Sequence, residues 1–301
     1  MLKYRAKKQF GQNFLRDVSY IEKIIEAIPK YNVQMVEIGV GLGDLSKELV
    51  KLGPLVAYEV DRDLCSLFVK NFSPALCSED FIDKRFEALS ANISSTYNVT
   101  QGNGILLFNQ DVLAIKHTQG WLWGSDYMLV ANLPYYIATR IILRALHDEK
   151  CQALVVMTQK EVAHKFCANV GERVFCALSV LAQSFGKAHL LFDVPKEAFN
   201  PSPKVTSSVF CLEKRTDKNT VSIANARGES YFVHFEAFLR KAFCAPRKKL
   251  ANNLQHLTNL QHIFTTLNIS LNARPNEVST EQYHQIFQQL QGEYNGREYA
   301  K

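Results

Sequence analysis

Apolar runs of five or six residues recur along the first half of the chain, each ending at a glycine or a polar side chain. Residues 33–38 (VQMVEI), 55–60 (LVAYEV), 104–109 (GILLFN), 127–131 (YMLVA) and 153–157 (ALVVM) are continuous rather than alternating, which predicts strands buried on both faces. Between them the period changes. Leu42, Leu45, Leu49 and Leu52 fall on one face of a helix that Gly53-Pro54 stops, and helical patterns follow the last two runs. Strands alternating with helices predict an α/β domain with a parallel sheet covered on both sides.

Two stretches break this rhythm. Asn71 to Gly104 is longer than a plain crossover needs. It holds one helix-like piece, FIDKRFEAL, and then a polar segment from Ser90 to Asn103, so residues 71–103 are expected to form an inserted surface excursion. After Lys187, residues 189–194 and 205–212 predict two strands joined by a Pro-rich turn, an antiparallel edge on a mostly parallel sheet. Residues 215–230 read as a polar linker. Helical periodicity then fills 231–243, 247–268 and 280–291, interrupted by Pro246 and Pro275. The expected division is a domain over 1–215 and a small helical domain over 228–301.

Composition adds boundaries rather than detail. The 301 residues suffice for two cores, and a hydrophobic share of 47% fits a globular chain. No apolar run approaches the ~20 residues that span a bilayer. The basic start, Met1 to Lys8, is not followed by an apolar segment, so neither a signal peptide nor a membrane partner is expected. The seven cysteines form no C-x-x-C pair; they read as reduced core residues of a cytoplasmic protein, with no structural zinc site. The net charge of +6 is mild, but it is gathered. Lys3, Arg5, Lys7, Lys8 and Arg16 all precede the first acid, and Arg240, Lys241, Arg247, Lys248 and Lys249 cluster near the other end. Two such clusters flanking one domain favour a polyanionic partner.

Candidate chemistry sits at the strand ends. Glu37-x-Gly39-x-Gly41-x-Gly43 lies between a strand and a helix, where glycine lets the backbone turn tightly and a ligand approach it. The next strand carries Glu59, placed to accept both hydroxyls of a ribose. A dinucleotide and S-adenosylmethionine fit these features equally. Asp111 follows the third strand; such a residue caps a helical turn or accepts from an adenine amine. The fourth strand ends in Asn132-Leu133-Pro134-Tyr135. An aromatic amine is a weak nucleophile because its lone pair is delocalised. The Asn132 side-chain oxygen and the Leu133 carbonyl are suited to accept its two N–H groups, Pro134 to fix the backbone, and Tyr135 to stack on the base.

With these residues the chain resembles the ribosomal RNA adenine dimethyltransferase family, and within it the small-subunit branch. The likeness includes Phe10 to Leu15, the Gly-rich turn, Glu59, Asp111, Asn132 to Tyr135, Gln159 to Ala163, Phe199-x-Pro201-x-Pro203-Lys204-Val205-x-Ser207 and Arg247 to Leu250. It implies a Rossmann-like class I S-adenosylmethionine-dependent methyltransferase domain and a helical, RNA-binding lobe. It also implies contacts to the methyl donor from Asn13, Leu15, Gly39, Gly41, Glu59, Asp111 and Asn132, and to RNA from Lys7, Lys8, Arg247, Lys248 and Lys249. The implied reaction, which needs no metal, is N6,N6-dimethylation of two adjacent adenosines in a hairpin loop near the 3′ end of 16S rRNA within the 30S particle or its precursor. A monomer is expected. The nearest rival is a 23S rRNA methyltransferase of the macrolide-resistance type; a 30S assembly checkpoint and, more remotely, a DNA adenine methyltransferase are others. Three positions depart from the family's habit: Val40 stands where Pro is frequent, Tyr136 where Asn is common and Ala138 where Ser is common.

Overall fold

The computed structural model describes residues 4–72, 99–102, 104–116, 120–215 and 231–291. The chain divides into two compact units, and neither is continuous. One comprises residues 1–163 and 189–213, the other 164–188 and 214–301. Residues 164–188 therefore belong with the C-terminal helices, whereas the sequence pattern placed everything up to 215 in the first domain.

The first unit is built on an eight-stranded sheet in the order β4-β5-β3-β2-β6-β7-β10-β8. Its centre is β2 (Gln34–Ile38), β3 (Leu55–Glu59), β5 (Ile105–Asn109), β6 (Tyr127–Asn132) and β7 (Cys151–Gln159), all parallel. Each matches an expected apolar run, and their continuous burial reflects helices packed on both faces. β10 (Ser207–Lys214) returns antiparallel to β7, as the pattern predicted, with β8 (Gly186–Val194) outside it at the edge.

Two pairings were not legible in the pattern. β4 (Val99–Gly102) lies antiparallel on β5, so the end of the polar segment is an edge strand rather than a loop. Threonine and glutamine suit an edge as well as a turn, and the residues alone do not separate the two. FIDKRFEAL and most of the 215–230 linker lie outside the described residues. The second pairing joins β1 (Phe14–Leu15) to β9 (Phe199–Asn200) as a separate antiparallel ribbon, tying the N-terminal segment to the Pro-rich turn.

The helices follow from caps and apolar stripes. α1 (Val18–Glu26) starts at Asp17, whose side chain accepts from the Ser19 N–H, and buries Ile21 and Ile24. α2 (Asp44–Leu49) starts at Gly43, and α3 (Arg62–Asn71) at Asp61, which caps it through the Asp63 N–H. α4 (Tyr135–His147) leaves β6 through Pro134 and buries Ala138, Ile141, Ile142, Ala145 and Leu146 at helical spacing. Ala138 is fully buried on that face.

The second unit takes over within α5 (Lys160–Cys167), and in it α6 (Ala177–Phe185) joins α7 (231–242) and α10 (Thr280–Gln291). Phe235, Phe238, Tyr283 and Phe287 pack at its centre, with ring centroids about 5–6 Å apart. The buried His284 ring lies 2.8 Å from both the Ser184 and the Tyr231 hydroxyl, satisfying both its nitrogens. The helix expected over 247–268 is broken into α8 (Leu250–Asn253) and α9 (Leu260–Thr266). Asn259, at φ 55°, is the break: asparagine tolerates the left-handed conformation, which a helix cannot continue through.

Candidate active site

Strand order reverses beside β2: the chain runs outward through β3 and β5, then returns to β6 on the other side. Open α/β sheets place their crevice at this point, beyond the carboxyl ends of the strands. There the Gly-rich turn leaves β2 and Asn132 ends β6. A Cβ on Gly39 would lie 3.9 Å from the Asn132 carbonyl oxygen, with the glycine itself at φ 79°. Gly41 also lies in left-handed space (φ 56°), and a Cβ there would sit 3.0 Å from the Phe14 ring. The turn thus leaves a floor of bare backbone between the two strand ends.

Above that floor is a cavity of about 490 Å³. Every residue expected at the methyl donor lines it, and so does the whole stretch Asn132 to Tyr135. Its charged lining is Asp44, Glu59, Asp111 and a single base, Arg140, with the protonated Glu37 buried beneath them. A lining so acidic disfavours the pyrophosphate of a dinucleotide and suits a ligand carrying positive charge.

Glu59 is held from below by two backbone donors, Gly41 N–H to Oε2 (3.2 Å) and Asp61 N–H to Oε1 (2.9 Å). Each oxygen keeps a lone pair for a further donor. Burial pushes this carboxyl up, and the same N–H groups oppose the shift. Glu37 is fully buried beneath the turn and accepts from the Ser46 hydroxyl at 2.6 Å. Burial pushes its pKa up to about 8, against the Ser46 bond and with the help of the Glu59 charge.

Asp111 does cap a turn, Oδ1 accepting from the Leu113 N–H at 2.9 Å, which leaves Oδ2 for a ligand. The turn is fixed from behind by Arg144. Its guanidinium donates to the carbonyls of Val112, Leu113 and Ile115 and lies over the Trp121 ring. Nothing in the spacing of Arg144 announced that role.

Asn132 donates through Nδ2 to the Asn13 carbonyl at 3.2 Å, leaving its side-chain oxygen as the acceptor. The Leu133 N–H is taken by the Met157 carbonyl on β7 (3.0 Å), which fixes the peptide whose oxygen the chemistry needs. The Tyr135 hydroxyl lies 2.5 Å from the Ser207 hydroxyl at the start of β10. Two motifs far apart in the chain therefore meet at one ring, a link that only the fold reveals. Tyr136 is 59% exposed and its ring lies 3.3 Å from where a Cβ on Gly11 would sit. Burial pushes its hydroxyl up, assisted by the charges of Asp111 and Glu59.

The expected RNA contacts separate into two kinds. Arg247, Lys248 and Lys249 are exposed around the start of α8 in the second unit. Lys7 is instead committed to two carboxylates, at 2.7 Å from both Asp61 and Asp63. Lys8 opens a short 3₁₀ helix, Lys8–Phe10. Among the described residues, His189, Cys211 and Glu213 bring possible metal ligands within 4.8 Å of one another. Burial pushes the Cys211 thiol up to about 12, and Glu213 already accepts from the Tyr31 hydroxyl, so this set is poorly prepared as a metal site. Cysteines 65, 151 and 211 are buried as expected, but Cys244 is exposed.

The family model for ribosomal RNA adenine dimethylase matches residues 3–292. A ribosomal RNA small subunit methyltransferase A from Helicobacter hepaticus is 48% identical, over 96% of this chain and 93% of its own. One of the same name from Campylobacter jejuni is 38% identical over 99% of each. Among solved structures, a dimethyladenosine transferase from Plasmodium falciparum superposes with a TM-score of 0.67 at 21% identity, covering 92% of this chain and 97% of that one. The 23S rRNA methyltransferase ErmE superposes at 0.59 and 19% identity, covering 93% and 100%. These two share the fold.

Proposed function

Because the chain belongs to the ribosomal RNA adenine dimethylase family, we propose that it uses S-adenosylmethionine to dimethylate N6 of two adjacent adenosines. We place these in a hairpin loop near the 3′ end of 16S rRNA, within the 30S particle or its precursor, and infer a role in small-subunit biogenesis. The observation that carries this reading is the meeting of Asn132 and the bare Gly39 backbone in one acidic cavity. The relatives named for the small subunit are 38–48% identical over nearly the whole chain, which supports the small-subunit target.

The donor fits the cavity on two counts. Glycines at positive φ form a cradle that side chains would fill, and the acidic lining suits a cationic ligand. When bound, S-adenosylmethionine supplies an electrophilic methyl group with a good leaving group. Glu59 is the acceptor for its ribose hydroxyls and Asp111 for its adenine amine, while Asn13, Leu15, Gly39 and Gly41 surround the methionine end.

The protein's remaining task is positioning. Asn132 Oδ1 and the Leu133 carbonyl accept the two N–H groups of the target amine, freeing its lone pair to point at the methyl. Tyr135 holds the base by its face, its own hydroxyl anchored on Ser207. A proton lost after transfer can pass to water, since the methylated nitrogen is acidic. The target must leave its stack, which suits a loop adenosine. Arg247, Lys248 and Lys249 grip rRNA phosphates. The chain works as a monomer in the cytoplasm, where its proposed rRNA substrate is found. Methyl transfer to 30S precursors, compared with protein-free 23S RNA, tests the assignment. Transfer to the 23S RNA alone would refute it.

A further inference from the structure

Asp61 is 1% exposed, yet it is a carboxylate with no ligand role in the reading above. Its surroundings are unusually complete. Oδ2 accepts from the Tyr4 hydroxyl at 2.5 Å and from Gln12 Nε2 at 2.9 Å. Oδ1 accepts from Lys7 Nζ at 2.7 Å and from the Asp63 N–H at 3.0 Å. Gln12 Oε1 in turn accepts from the Lys7 backbone N–H at 2.7 Å. Three side chains of the N-terminal segment thus close on one buried acid. Burial opposes its charge, but the bonds from Lys7, Tyr4 and Gln12 outweigh that and hold its pKa down at about 2.

The same residue reaches the cavity from the other direction. Its backbone N–H is the donor that fixes Glu59 Oε1. The segment it holds carries Gln12, Asn13 and Phe14 into the cavity wall, where Asn13 accepts from Asn132 and Phe14 lies against Gly41. Beyond Phe14 the segment is anchored again by β1 on β9.

We propose that Asp61 is a positioning residue for the methyl donor: it orients Glu59 and, through Tyr4, Lys7 and Gln12, fastens the N-terminal segment as one wall of the donor site. Lys7 accordingly spends its charge on donor binding and not on RNA phosphate, although its sequence context suggests RNA. The inference rests on the proposed function, in that the ligand of the cavity is taken to be S-adenosylmethionine.

The test uses the full chain with Asp61→Asn, Lys7→Met, the double variant and Lys7→Arg. Calorimetry measures the Kd for S-adenosylmethionine. A salt titration measures affinity for a 16S rRNA fragment carrying the 3′-terminal hairpin. Each single variant should bind the donor about tenfold more weakly, the size of one charge-assisted hydrogen bond lost. The double variant should be little worse than Asp61→Asn alone, because that change already removes the charge that Lys7 pairs with. Lys7→Arg should recover most of the loss, and Lys7→Met should leave the RNA affinity and its salt slope as in the unmodified chain. Lys7→Met alters a partly exposed side chain away from the core, so it carries the test even if Asp61→Asn does not fold. Unchanged donor affinity in Lys7→Met, or a drop in its RNA affinity with a salt slope lower by about one, would overturn the proposal. An unmodified chain that does not bind S-adenosylmethionine would overturn the proposed function itself, and this inference with it.

Discussion

At the residue scale, Asn132 bears on the reaction and Glu37 on stability. Asn132 is held by Asn13 so that its oxygen remains available. Asn132→Ala should lower methyl transfer at least about a hundredfold, the cost of losing alignment at the reacting atom. RNA affinity should change little, and a titration curve beside the initial rates checks both. Tyr135→Phe loses the Ser207 bond but keeps the stacking face, and should cost far less than Tyr135→Ala, which forfeits about 1–3 kcal/mol of base stacking. Glu37 affects stability. In the folded chain it keeps its proton up to about pH 8, whereas an ordinary glutamate releases it near 4.5. Folding therefore binds a proton between those values, and stability falls as pH rises through that window. Glu37→Gln should flatten this slope in urea unfolding from pH 5 to 8; a slope identical to the parent's would contradict the assignment.

At the scale of elements, the turn between β2 and α2 is the most sensitive piece. Gly41→Ala places a Cβ 3.0 Å from the Phe14 ring at a φ that L-residues avoid. The strain of about 1 kcal/mol should lower thermal stability, and the displacement of Phe14, which lines the cavity, should weaken donor affinity about tenfold. The five parallel strands were legible because they are buried on both faces and so apolar throughout. Glu59, Asp111 and Asn132 were legible together, because each ends or follows one of the apolar runs after the Gly-rich turn, whereas Asp111 alone reads equally as a cap. Asp61 was not: its importance comes from Tyr4, Lys7 and Gln12, which lie about fifty residues away in the chain. Ser207 and Arg144 are hidden for the same reason. The break at Asn259 was missed because one left-handed residue leaves the apolar period on either side intact.

At the scale of the whole molecule, charge is the variable that separates donor from RNA. The donor cavity is acidic, while Arg247, Lys248 and Lys249 are exposed in the other unit. Replacing those three by Gln should lower the salt slope of RNA binding by about two. Donor affinity should stay unchanged, and a matching loss of donor binding would contradict this separation. The proposal for Lys7 makes the N-terminal cluster an exception among the basic residues, a part of the donor site by its ion pairs. The proposed reaction can be read by mass spectrometry of 16S rRNA from 30S particles that lack the modification, incubated with the chain and S-adenosylmethionine. N6,N6-dimethyladenosine is expected at two adjacent positions near the 3′ end with the unmodified chain, and none with Asn132→Ala. Unchanged adenosines with the unmodified chain would contradict that reaction.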